Sequence, residues 1–221
     1  MVETPFPAQA HANEIERQSL RIVAQTANLA RFGREEKEVA ARVVHACADP
    51  TMADSLILTP GAVTAALHAL RADAKVVTDV EMVRRALYVK GALCALDFTR
   101  QASWPRTRTE LGIERALDAA GEGAIAVIGC APTALEALIT MTAAKRVHLA
   151  AVVALPVGYV GAAAAKENLL ASGIPAITNR GARGGSAVTA AAFNALVRMA
   201  NGTYSFEAAG LSAPSSIEEA M

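Results

Sequence analysis

The stretch AIAVIGCAPTALEALITMTAAK, residues 124–145, decides the fold. It opens on an unbroken apolar run, Ala124 to Ile128, with no polar residue interleaved. A strand of that kind is covered on both faces, because a half-exposed strand alternates apolar with polar. Gly129 follows the run, and Pro132 stands in the first turn of the segment behind it, where its missing N–H costs little. A buried strand passing straight into a helix is half of a crossover unit. Such units build a parallel sheet layered by helices.

The unit recurs outward from there. Downstream, LAAVVALPVGYVG (149–161) leads into AAAAKENLLASG (162–173), and IPAITNRGARGGS (174–186) leads into AVTAAAFNALVRMANG (187–202). Upstream, AKVVTD (74–79) precedes the helical VEMVRRAL (80–87), and GALCALDF (91–98) is a further apolar run. The N-terminal third is helical: 12–32, 34–48 and 59–72 carry apolar residues at helical spacing, with Thr59 expected as an N-cap. The fold class expected is α/β: a three-layer α/β/α, doubly wound, flavodoxin-like arrangement. Its mainly parallel sheet has about five strands, preceded by N-terminal helices. Ligands of such sheets bind beyond the carboxyl ends of the strands, here the loops 79–82, 98–108, 129–133, 155–161 and 179–186. One domain is expected over 1–200, with 201–221 a loosely held tail rich in Ser, Ala, Glu and Pro.

Composition narrows the function. The chain has 221 residues, 53% apolar and 4% aromatic, and its 21 basic and 21 acidic side chains cancel. A balanced charge gives no support to a nucleic-acid partner. The longest apolar stretches contain Pro and Gly and read as strand, turn and helix start rather than a membrane span. The first residues lack the basic and apolar regions of a signal peptide. Cys47, Cys94 and Cys130 are odd in number and form no CxxC pair, so no disulfide framework is expected. The plain reading is a cytoplasmic protein.

Five stretches offer chemistry. Around NRGARGGS (179–186), Gly181, Gly184 and Gly185 crowd a strand-to-helix turn that ends at Ser186, flanked by Arg180 and Arg183. It is either an anion-binding loop or a tight turn with a Ser cap. Gly158 in LPVGYVG and Thr133 behind Pro132 sit at two further strand ends, each open to a pocket role or a turn role. Arg106, Arg108 and Arg115 cluster near Trp104, as a solvated surface or as forks for ligand carboxylates. His45 lies two residues before Cys47, and on a helix those side chains diverge by roughly 200°, too far to share one metal. His45 is left as a general acid/base or a satisfied core histidine.

Taken together, RVVHACA (42–48), TDVEMV (78–83), IGCAPTALEAL (128–138), LPVGYVGAAAAKENL (155–169) and RGARGGSAVTAAAFNAL (180–196) resemble, in order, the motifs of the precorrin-8X methylmutase family. The resemblance runs from about residue 13 to 198. It implies an isomerase of corrin-ring, hence cobalamin, biosynthesis. That enzyme moves a methyl group from C11 to C12 of precorrin-8X or its cobalt analogue, giving hydrogenobyrinic or cobyrinic acid. It implies no cofactor, no metal site in the protein, a tetrapyrrole as partner, and a homodimer with its sites near the interface. His45 matches the family's catalytic histidine. Ser19, Asp79, Arg115, Thr133, Gly158, Arg183, Gly184, Gly185 and Ser186 are the substrate-binding positions it implies. The chain departs from the family pattern at Ala48 (commonly Gly), Tyr88, Glu114, Ala116 and Cys130. Those departures keep open a non-catalytic tetrapyrrole carrier, and the 180–186 glycines alone would suit a phosphate- or nucleotide-binding protein.

Overall fold

The computed structural model describes residues 7–208 and Gly210. Two helices lead the chain, α1 (Pro7–Thr26) and α2 (Arg34–Cys47), followed by a single turn, α3 (Met52–Ser55). There follow β1 (Leu56–Leu58), α4 (Ala62–Arg71), β2 (Val76–Thr78), α5 (Glu81–Ala86), β3 (Leu93–Cys94) and α6 (Arg108–Ala120). The second half alternates strictly: β4 (Ala124–Ile128), α7 (Pro132–Ala143), β5 (Leu149–Ala154), α8 (Ala162–Ala171), β6 (Ala176–Asn179) and α9 (Ser186–Ala200), with a last turn, α10 (Ser205–Ala208).

The six strands lie in the order β1-β6-β5-β4-β2-β3. The last five are parallel to one another. Counted among themselves they run 2-1-3-4-5, the doubly wound order expected from the sequence. The sixth strand is a correction to the expected five. β1 pairs antiparallel with β6, Leu56 opposite Asn179 and Leu58 opposite Ile177. Three residues are too few to show a period, so only the neighbouring strand reveals this one. Thr59 is corrected with it. Its hydroxyl accepts from the Ala176 N–H at 2.8 Å, prolonging the pairing, and the residue before α4 is Gly61.

The sheet separates two cores. On one face Val39, Val43 and Val44 of α2 and Phe193 and Leu196 of α9 pack with α1, α4 and Val83 of α5. On the other, Ile113 and Leu117 of α6, Leu135 and Leu138 of α7 and Leu169 of α8 pack together. All five residues of β4 are buried, as an unbroken apolar run between two helical layers requires.

Polar detail fixes the carboxyl edge of the sheet. Asp79, fully buried at the end of β2, accepts hydrogen bonds from the N–H groups of Val80, Gly129, Cys130 and Ala131, at 3.0, 3.2, 2.7 and 2.7 Å. It thereby pins the loop that leads into α7 and fills the switch point between β2 and β4, where a doubly wound sheet usually opens. Burial pushes its carboxyl above the ordinary carboxylate range, and the four amides pull against that. Gly184 serves a close approach: a Cβ there would lie 2.0 Å from the Leu155 carbonyl oxygen.

The tail expectation fails for its first part. Phe206 is buried, and its N–H donates to both carboxylate oxygens of Glu38 at 2.8 and 2.9 Å. The Arg34 guanidinium lies 4.6 Å from the Tyr204 ring centre. Residues 203–206 are thus docked on α2, and residues 209 and 211–221 lie outside the described residues.

Two stability outcomes follow. Asp79→Ala should lower the unfolding free energy by roughly 2–4 kcal/mol in urea denaturation, since it strands four buried amides together. Ala48 ends α2 in the left-handed region (φ 52°), where a Cβ is strained. Ala48→Gly should therefore raise stability by about 0.5–1 kcal/mol, read by the same method.

Candidate active site

The site begins with two facing helices. Ser19 of α1 and His45 of α2 meet, Ser19 Oγ lying 2.7 Å from His45 Nδ1. Each has a charged partner one turn earlier on its own helix, Glu16 before Ser19 and Arg42 before His45. That i, i+3 spacing puts each pair on one helical face. Glu16 Oε1 accepts from Arg42 of α2 and, at 3.2 Å, from Arg198 of α9. Arg198 also donates to Ser205 Oγ at 3.1 Å. The three helices nearest the N-terminus and C-terminus of the fold are thus tied by one carboxylate beside one imidazole.

His45 divides two adjoining clefts. One, of about 350 Å³, is apolar, walled by Ile15, Ile22, Val23 and Val44 with Ser19 and Ala48. Ile15 and Ile22 stand more than half exposed there, the kind of surface a flat apolar ligand covers. The other, of about 270 Å³, is polar and holds Glu16, Arg42, Tyr88, Asn194 and Arg198, with the small residues Ala187, Ala190 and Ala191 of α9 as its floor. Asn194 fixes the Tyr88 segment: its Oδ1 accepts from the Tyr88 N–H and its Nδ2 donates to the Ala86 carbonyl, both at 2.8 Å.

The charges act on His45. Burial holds its pKa below the ordinary 6.5; Arg42 and Arg198 add to the depression, and Glu16 opposes it. The imidazole is therefore neutral near pH 7, with Nδ1 engaged by the Ser19 hydroxyl. Burial works to raise the Glu16 carboxyl, yet its two guanidinium partners outweigh burial and hold it below the usual range.

The other expected residues fall into three groups. Gly158, Arg183, Gly184, Gly185 and Ser186 form one loop cluster at the carboxyl ends of β5 and β6. This cluster neighbours the His45 clefts, because Arg183 pairs with Asp49 and its Nη1 donates to Thr51 Oγ1 at 2.8 Å, just beyond α2. Two of its amides are used within the protein: Gly158 N–H donates to the Ala182 carbonyl and Gly185 N–H to the Leu155 carbonyl. Arg180 lies beside Glu167 at 3.4 Å, so both flanking arginines face carboxylates. Ser186 makes no capping bond; Gly185 occupies the cap. Beneath the loop, Lys166 is fully buried and donates to Asn179 Oδ1 at 3.1 Å and the Arg183 carbonyl at 2.8 Å. Burial, then Arg183, brings its pKa down to about 8.

Thr133 and Arg115 form the second group, on the opposite layer. Thr133 Oγ1 bonds Thr107 Oγ1 at 2.8 Å, and Arg115 Nη1 donates to the Phe98 carbonyl at 2.9 Å. Asp79 stands alone as the third, sealed in the switch point rather than facing a cleft. Glu114 does not neutralise Arg115, because it pairs with Arg106, which also holds Glu110 at 2.7 Å. Ala116 is buried in the α6 core, away from any ligand surface. Cys47 is exposed, and its thiol donates back to the Val43 carbonyl. Among the described residues no three His, Cys, Asp or Glu side chains gather at metal-binding distance, and no helix is long and apolar enough to cross a membrane.

Sequence reasoning did not single out Glu16, Arg42, Asn194 or Arg198. The i, i+3 spacing to Ser19 and His45 was a signal for the first two. For Arg198, 153 positions beyond His45, no local signal exists.

The comparisons with known proteins bear on the family and the fold. The family model described as precorrin-8X methylmutase matches residues 14–199. The chain is 39% identical over 196 residues to the precorrin-8X methylmutase of Pseudomonas aeruginosa, covering 82% of this chain and 93% of that one. It is 36% identical over 191 residues to the cobalt-precorrin-8 methylmutase of Methanothermobacter thermautotrophicus, covering 84% and 92%. The crystal structure of the precorrin-8X methylmutase from Thermus thermophilus superposes with a TM-score of 0.74 at 33% identity, covering 85% of this chain and 98% of that one. With its fold, its motif order and nearly its whole described length matched, the chain belongs to the precorrin-8X methylmutase family.

Proposed function

We propose that the chain is an isomerase of corrin-ring biosynthesis that moves a methyl group from C11 to C12 of precorrin-8X, or of its cobalt-containing analogue, with His45 as the acid. The observation that carries this reading is the Ser19–His45 pair, set where an apolar cleft meets an arginine-lined one. The reaction breaks one carbon–methyl bond and forms another, and the formula does not change. What it needs is the right tautomer of the macrocycle. A histidine that lends a proton to a ring nitrogen or carbon, and takes it back, selects that tautomer. Ser19 holds the ring by Nδ1, so Nε2 is the nitrogen left to work. A depressed pKa makes the protonated form a ready donor. The apolar cleft suits the face of the substrate, and the arginines suit its acetate and propionate fringe.

The setting that fits is a homodimer in the cytoplasm. His45 and the pair Arg115 and Thr133 lie on opposite layers of one chain, so a ligand touching all of them needs a second copy. The two clefts are also shallow for so broad a substrate. Three free thiols suit a reducing compartment.

Incubated with precorrin-8X and cobalt-precorrin-8 in parallel, the purified protein should turn over at least one, read as the product absorbance. Binding of product without turnover of either would favour the carrier reading instead. His45→Ala should lose roughly 10²–10⁴-fold in turnover with its fold intact by circular dichroism, and Ser19→Ala about tenfold. Because His45 must be protonated to act, kcat/KM should fall as pH rises through a midpoint below 6.5.

A further inference from the structure

The polar cleft holds an imbalance that the isomerisation alone does not explain. Two guanidinium groups, Arg42 and Arg198, face a single carboxylate, Glu16. Arg42 is buried, and its Nε has no hydrogen-bond partner among the described residues. Its Nη2 is taken by Glu16. Arg198 is more open. Both of its hydrogen bonds use Nη1, its side chain is 29% exposed, and it lines the cleft. Tyr88 lies beyond, its ring centre 5.6 Å from the Arg198 carbon Cζ, and among the described residues Arg198 Nε and Nη2 have no hydrogen-bond partner. A planar, pre-positioned guanidinium with one free edge is the geometry a carboxylate takes bidentately.

We propose that Arg198, backed by Glu16 and Arg42 and flanked by Tyr88, is a carboxylate-receiving subsite that couples ligand docking to proton uptake by His45. This rests on the reading of the substrate as a ring fringed with carboxylates. The coupling follows from charge. In the empty cleft, the groups facing His45 are Glu16 from α1, Arg42 from α2 and Arg198 from α9, with the Tyr88 phenol at the rim; Asp49, nearby in sequence, is paired away with Arg183. Two positive charges against one negative disfavour an imidazolium. A ligand carboxylate on Arg198 makes the count two against two. His45 also ends α2, where the helix dipole favours a cation, so it gains a proton as the ligand arrives. The substrate would charge its own acid, and the empty enzyme would hold none.

Nuclear magnetic resonance of His45 in ¹⁵N-histidine-labelled full-length protein tests this. The wild type, Arg198→Met and Arg198→Lys are titrated with pH alone, with sodium acetate against sodium chloride at equal ionic strength, and with hydrogenobyrinic acid. In the free protein, Arg198→Met should raise the His45 midpoint, and Arg198→Lys should leave it near the wild-type value. Acetate and hydrogenobyrinic acid should each raise the wild-type midpoint and leave that of Arg198→Met unmoved. In turnover, the wild-type kcat limb should lie at higher pH than the kcat/KM limb, and the gap should close in Arg198→Met. A wild-type midpoint that ignores both probes, or moves equally in Arg198→Met, overturns the subsite. A response to acetate with no corrinoid binding keeps the subsite and removes the corrin reading; turnover with an unmoved His45 does the reverse.

Discussion

The carboxylate of Asp79 is the joint on which the working edge of this molecule depends. It stands where the strand order reverses and takes four backbone amides at once, from the adjoining Val80 and from the loop that leads into α7. No side chain without an acceptor on both oxygens could satisfy that set in a site closed to water. The loop it fixes passes through Gly129, where a Cβ would lie 2.9 Å from the Ser186 Cα at the head of α9. The helix that carries Arg198 is therefore seated against a loop whose position a single buried carboxylate decides. With the switch point filled, the clefts at His45 lie to one side, where the N-terminal helices lean over α9.

His45 gains its character from neighbours that belong to three separate helices. Burial and two arginines favour the neutral ring, and one glutamate and the end of α2 favour the charged one. Such a balance is close, and a single added charge tips it. The apolar cleft on the other side of the ring has nothing to titrate. A broad substrate with an apolar face and an acidic rim would meet each half with the matching surface.

The positions where the chain leaves its family's pattern have distinct physical meanings. Ala48 is a strained helix terminus and concerns stability. Glu114 and Ala116 belong to the α6 layer, one bound to Arg106 and the other buried, and neither changes the charge at His45. Tyr88 stands in the polar cleft, over Arg198, and Ala48 lines the apolar one. In sequence these looked like one group of altered neighbours around a pocket. The sheet separates Glu114 and Ala116 from Ala48 and Tyr88.

The sequence by itself determined the architecture. Unbroken apolar runs such as Ala124–Ile128 must be covered on both faces, and each passes into a helix, which leaves few arrangements besides a parallel layered sheet. It also marked His45, Ser19 and the glycine turns, since motif order survives in a linear string. The tertiary structure alone decided what those residues meet. β1 became a strand only through its register with β6. The arginines of the glycine loop met carboxylates, Arg183 that of Asp49, 134 positions away, and Arg180 that of Glu167. Asp79 moved from ligand wall to keystone because four amides converge on it. Arg198 entered the site from the far end of the chain. Local propensity and periodicity fix elements, whereas charge pairing and desolvation are pairwise in space, and no spacing along the chain encodes them.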